Sequence, residues 1–152
     1  MLDETADQDL HWVSLQLGAP QAELAAAHLP HVTDVSHRLK DFADTAAVIG
    51  HLDLVLAVDT GVAHLAGALG KPVWTLLSDT PNFRWQGDEH TSRWYPTMRL
   101  FRRPREGTWD GVMETVARAL RIPTMAATDS EPSRPGHPND AGPFGTTIRL
   151  TR

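Results

Sequence analysis

The run Asp53-Leu54-Val55-Leu56-Ala57-Val58 constrains this chain more than any other stretch, because its large apolar side chains stand on both parities of an extended backbone. A strand of that kind needs cover on both faces, which places it at the centre of a mostly parallel sheet flanked by helices. It leads directly into Asp59-Thr60-Gly61 and then a helical pattern from Val62 to Leu69, with Gly70 as the C-cap. Pro72-Val73-Trp74-Thr75-Leu76-Leu77 reads as the next buried strand.

The flanking segments follow the same alternation. His11 to Leu17 alternates and ends at Gly18, as a strand and its exit do, and a short strand is expected over Val32 to Val35. Pro20 to His28 is Ala-rich with Pro in the first-turn position it favours, so it reads as helix. Asp41 precedes Phe42-Ala43-Asp44, an N-cap with a second acid in the first turn, and this helix is expected to reach about Leu52. Met98 to Arg102 has the pattern of an edge strand, and a helix over Trp109 to Leu120 closes the domain. Strands and helices alternating at this spacing give an α/β fold, a Rossmann-like sheet of about five strands.

At 152 residues the chain has room for one core. Residues 1–9 read as a polar lead-in, 10–122 as the folded domain and 123–152 as a disordered tail. Beyond Pro123 the only large apolar residues are Met125, Phe144, Ile148 and Leu150, too few to offset the entropy of ordering. Thr146 to Leu150 keeps a weak strand-like pattern. A net charge of −5 removes the long-range attraction on which nucleic-acid binders rely. The absence of Cys excludes disulfides, thiolate metal sites and a cysteine nucleophile. The acidic start is unlike a secretory signal and no stretch is apolar enough to span a membrane, so the expected compartment is the cytoplasm.

In α/β sheets of this type ligands bind beyond the carboxyl ends of the strands, where helix N-termini turn free N–H groups toward anions. The junction Val58-Asp59-Thr60-Gly61-Val62-Ala63-His64 is the best such place. The Thr60 hydroxyl is positioned to cap the helix, Gly61 removes the Cβ that would block a phosphate, and the Gly61 and Val62 amides face the anion. At about 100° per residue, Val62, Leu65, Ala66 and Leu69 form an apolar stripe and His64 falls nearly opposite it, free to donate to a phosphate oxygen. An exposed histidine with no ligand is the alternative. For Asp59, capping and ligand contact are equally supported.

Other signals are weaker. Gly67 to Lys71 is a near miss to a phosphate loop, since Pro72 stands where Ser or Thr is required. His28 and His31 are separated by Pro30 and lack further ligands, so no metal site is expected. Phe83-Arg84-Trp85 and Trp94-Tyr95-Pro96 lie on a long loop from Ser78 to Thr97, at the same sheet end as Asp59; anchoring of the loop is favoured over a ligand wall. Arg99, Arg102, Arg103 and Arg105 read as a guard against edge pairing rather than as a phosphate site.

The segments Asp41 to Ala46, Asp53 to Trp74 and Trp94 to Arg102, together with Ser14 to Gly18, resemble the heptosyltransferase-like (family 9) glycosyltransferases, a group often fused to tetratricopeptide repeats and distantly similar to O-linked N-acetylglucosamine transferases. The resemblance covers roughly residues 10–122 and implies the C-terminal, nucleotide-sugar-binding half of a GT-B enzyme. On that basis Asp59 would sit by the donor sugar. Thr60, Gly61 and Val62 would bind the diphosphate, and His64 would assist there. Gln16 would face the same cleft and Asp44 would approach the ribose. Two positions depart from the pattern: Asn82-Phe83 stands where Asp-Trp is common, and no Lys or Arg follows Gly18. No bound metal or other cofactor is implied. In this architecture the acceptor and catalytic base come mainly from the other half, so transfer would need a separate or upstream acceptor-binding domain. A non-catalytic nucleotide-sugar-binding module, or the remnant of a truncated gene, is the alternative.

Overall fold

The computed structural model of the chain describes residues 10–18, 24, 26–27, 29–80, 82–86, 89–121 and the backbone of 147–150. Its strands are β1 (Leu10–Ser14), β2 (Val32–Asp34), β3 (Val55–Val58), β4 (Val73–Leu77), β5 (Met98–Arg102) and β6 (Thr147–Leu150). Its helices are α1 (Phe42–Gly50), α2 (Gly61–Ala68) and α3 (Trp109–Arg121). Most of the helix expected over Pro20 to His28, and most of the 123–152 tail, lie outside the described residues.

The α/β class with parallel pairing holds: β3 pairs with β4 and β4 with β5, and β1 pairs with β2, all parallel. The strands form two hydrogen-bonded sheets, in the orders β2-β1-β6 and β3-β4-β5, rather than the single sheet of about five strands that the sequence predicts. The reason is the number of edges a strand has. β1 uses one edge for β2 and the other for β6, which runs antiparallel with Leu10 opposite Leu150, so β1 has no edge left for β3. The strand-like end of the sequence is thus part of the fold.

Despite that division both sheets contribute to the same two cores. Along β3, Val55 and Ala57 face one core, which holds Ile49 of α1 and Ala63 and Ala66 of α2. Leu56 faces the other, built on Val112, Val116 and Leu120 of α3. β1 divides in the same way, with Val13 against the first core and Trp12 inside the second. Burial of apolar area on both sides of one layer is the dominant favourable term here. Cover fails only at the last residue of β3: Val58 is 52% exposed, as the chain emerges at the carboxyl end of the sheet.

The helix starts are closed differently. The Asp41 carboxylate accepts from the Ala43 and Asp44 amides at 2.8 and 2.9 Å, and Asp44 reaches back to the Lys40 amide at 3.0 Å. α1 therefore begins where its N-cap predicts, although it ends at Gly50, before the expected Leu52. α2 begins one residue earlier than expected and ends before Gly70, whose φ of 68° turns the chain toward β4. β5 has the expected bounds, and its outer edge is partly covered by its own preceding loop: Leu100 donates to the His90 carbonyl at 2.7 Å and Thr91 bridges to Arg99.

Asp41→Ala removes both cap bonds and is expected to cost about 1 kcal/mol. The check is a urea unfolding curve with a lower midpoint and an unchanged slope.

Candidate functional site

The site is the junction where β3 ends and α2 begins. Asp59, Thr60 and Gly61 are exposed there. Thr60 is extended, with φ −138° and ψ 167°, and its hydroxyl makes no cap hydrogen bond, contrary to the expectation from sequence. Its carbonyl instead accepts from Ala63 at 3.1 Å and His64 at 3.4 Å, tightening the first turn. The start of α2 is therefore left without the side-chain acceptor that Asp41 supplies to α1, while a helix N-terminus carries about half a positive elementary charge.

His64 does not lie opposite the buried face, as helical spacing predicts. The residues α2 buries are Ala63, Ala66 and Gly67, while Leu69, expected in the apolar stripe, is 47% exposed. Small residues face inward because other groups approach closely there. A Cβ on Gly67 would stand 2.6 Å from Cγ of Tyr95, so only glycine admits that ring. This rotation brings His64, one turn earlier than Gly67, to the margin of the packed face, where it is half-buried.

Three groups fix the imidazole. Its ring stacks on Trp85 with centroids 5.2 Å apart and planes 21° from parallel. Nδ1 lies 3.0 Å from the Tyr95 hydroxyl. Nε2 lies 3.5 Å from Oδ1 of Asp59. The sequence places Trp85 and Tyr95 on the loop at this end of the sheet, but nothing in spacing identifies them as the partners of His64. Tyr95 lies 31 residues away.

The remaining predicted residues are more dispersed. Gln16 is exposed beyond β1, its backbone amide on the Ser14 hydroxyl at 3.3 Å. Asp44 is engaged by the Lys40 amide, a local capping contact. Val62 packs partly against the first core. Gly61 has a packing role of its own, because a Cβ there would meet the edge of the Phe42 ring at 3.3 Å. Phe42 is itself 63% exposed, which sets an aromatic ring beside the mouth of the junction.

The long loop is anchored, as favoured, by Trp85, which is only 1% exposed and belongs to the first core. Trp94 remains outside and donates from Nε1 to the Arg84 carbonyl at 3.0 Å. Asn82 caps the intervening turn by accepting from the Arg84 amide, as an aspartate would at that position. The arginines serve the same scaffold. Arg102 donates to the Glu89 and Trp85 carbonyls, Arg103 pairs with Asp79 at 2.5 Å, and Arg99 lies 4.5 Å from the centre of the Phe101 ring. Lys71 donates to the Leu52 carbonyl just before β4, at the opposite end of the strands from Asp59. A cleft of about 490 Å³ between β5 and α3, lined in part by His90, Arg99, Thr108 and Val112, shares no residue with the junction. Among the described residues no group of three or more His, Asp or Glu is arranged to hold a metal ion, and no helix is long and apolar enough to cross a membrane.

Comparison with known proteins gives the class. The sequence pattern of glycosyltransferase family 9 (heptosyltransferase) matches residues 7–100, more than half of the chain, and the chain belongs to that family. The matched stretch includes the whole junction together with Trp85 and Tyr95. Among curated proteins, Protein FlbA of Caulobacter vibrioides is 32% identical over 118 residues, covering 72% of this chain. The chain spans only 19% of that relative's length. No solved structure gives a significant match.

Gly67→Ala forces its methyl into the Tyr95 ring. It is expected to destabilise the protein by about 1–3 kcal/mol, the usual range for overpacking, read as a lower denaturation midpoint.

Proposed function

We propose that this chain is the nucleotide-sugar-binding part of a metal-independent glycosyltransferase of GT-B type, taking a sugar from a nucleoside-diphosphate donor. The observation that carries this reading is the start of α2, which lacks a side-chain cap, is exposed, and has an imidazole held beside it. Membership of glycosyltransferase family 9 supports the reaction class. In such a transfer the bond between the anomeric carbon and the β-phosphate oxygen breaks and the diphosphate keeps the electron pair. The acceptor oxygen forms the new bond and gives up its proton to a base.

The groups at the junction suit the leaving diphosphate. Backbone N–H groups at Gly61 and Val62 add the positive end of the helix dipole, fixed in place before charge develops. His64 adds a directed N–H. Gly61 keeps the approach to the backbone clear, and Asp59 stands where a sugar hydroxyl would donate to it. Gln16 and Asp44 are the proposed outer contacts, to the donor cleft and ribose respectively. The acceptor and the base are assigned to a separate or upstream domain.

The experiment is a thermal melt of the chain with UDP, ADP and GDP. A nucleotide at tenfold its Kd stabilises by about 1.4 kcal/mol, a shift of several degrees for a domain of this size. Gly61→Leu, whose Cβ meets the exposed Phe42 ring, and His64→Ala are each expected to abolish the shift. Unchanged wild-type melts with all three nucleotides at millimolar concentration would overturn the proposal.

A further inference from the structure

We infer that Tyr95 is a positioning residue: its hydroxyl donates to Nδ1 of His64 and, together with the Asp59 carboxylate at Nε2, holds the neutral imidazole in the tautomer that carries its proton on Nε2, at the mouth of α2. The inference deepens the donor-binding reading and rests on it for its functional meaning, but its geometry stands independently.

The argument follows from what each partner can offer. Asp59 is a carboxylate, which accepts hydrogen bonds and donates none when ionised. Nε2, 3.5 Å from its Oδ1, interacts favourably only if that nitrogen bears the hydrogen. A neutral imidazole has one N–H, so Nδ1 is then a lone pair and its partner must be a donor. The group at 3.0 Å from Nδ1 is the phenolic O–H of Tyr95, which supplies that hydrogen. The opposite tautomer would aim the Nε2 lone pair at a carboxylate. A ring turned over in the same plane would set carbon atoms against both partners. Stacking on Trp85 and the edge contact with Tyr95, with centroids 5.6 Å apart, hold that plane.

The consequence lies in the direction of the donor. With Nδ1 committed to the loop, the only N–H left on the neutral ring points toward Asp59 and the exposed start of α2. A diphosphate oxygen arriving there competes with the Asp59 carboxylate, 3.5 Å from Nε2, for that one proton. His64 acts as a neutral donor whose orientation is set before binding, so little ordering cost remains for the ligand to meet. Gly67 belongs to the same device, because its missing Cβ allows the Tyr95 ring close enough to reach His64.

The test is the nitrogen spectrum of the full chain labelled with ¹⁵N-histidine. It is recorded over a rising pH series to about 8.5 and read at the alkaline plateau, where the signals stop moving. The His64 signals are identified by their loss in His64→Gln. The wild type is expected to show one tautomer, protonated on Nε2, with its Nδ1 signal displaced by the donated hydrogen bond, and Tyr95→Phe the Nδ1 signal of a lone pair without a donor. Phe keeps the ring on Gly67, and the melting temperature confirms folding. UDP, ADP or GDP, whichever binds the wild type, is expected to bind Tyr95→Phe about three- to tenfold more weakly, the scale of one hydrogen bond.

A wild-type ring protonated on Nδ1 overturns the inference even if the variant fails to fold, and so does an Nδ1 signal unchanged by Tyr95→Phe. An Nδ1 signal that moves on Tyr95→Phe in a protein that binds no nucleotide upholds the role of Tyr95 while overturning the donor-binding proposal.

Discussion

The burial of β3 on both faces is the constraint on which the rest depends. Val55 and Ala57 are covered by α1 and α2 on one side, and Leu56 by α3 on the other. β3 stands at an edge of its sheet rather than at the centre that the sequence predicts, yet both of its faces are covered, so polar chemistry belongs at the point where it emerges. Val58 marks that point by its exposure, and Asp59-Thr60-Gly61 follows immediately. The helix that begins there must pack back over the strand it has just left, which fixes the direction of its N-terminal amides.

Close packing then decides which residues surround those amides. α2 presents Ala63, Ala66 and Gly67 inward, residues small enough for a sheet and a tyrosine ring to approach together. The long loop after β4 returns to the same place, with Trp85 buried in the core and Tyr95 lying on Gly67. One histidine thus receives a stacking partner below its ring and a polar partner at each nitrogen. The arginines following the loop bind carbonyls and a carboxylate within it, so their charge serves to hold the loop in position.

Much of the fold is legible in the sequence. The Asp41 cap, the alternation of β5, the closing helix from Trp109 and the glycine turn at Gly70 each express a local preference that the structure keeps. Local preference fails where long-range contacts compete with it. Spacing alone assigns Leu69 to the core, but the close approach of Tyr95 at Gly67 turns the helix and leaves Leu69 outside. It gives Thr60 a capping role, but the Thr60 carbonyl closes the first turn instead. It expects one sheet, but β6 takes the second edge of β1.

The sequence by itself determined the two-faced strand, the polar turn at its end and the helix beyond it, because hydrophobic parity and turn chemistry act over a few neighbouring residues. Tertiary structure alone decided the orientation of His64, since the tyrosine beside its Nδ1 lies 31 residues further along the chain and the tryptophan beneath it belongs to another element. Contacts of that range depend on how loop and helix pack in three dimensions, which no local pattern encodes.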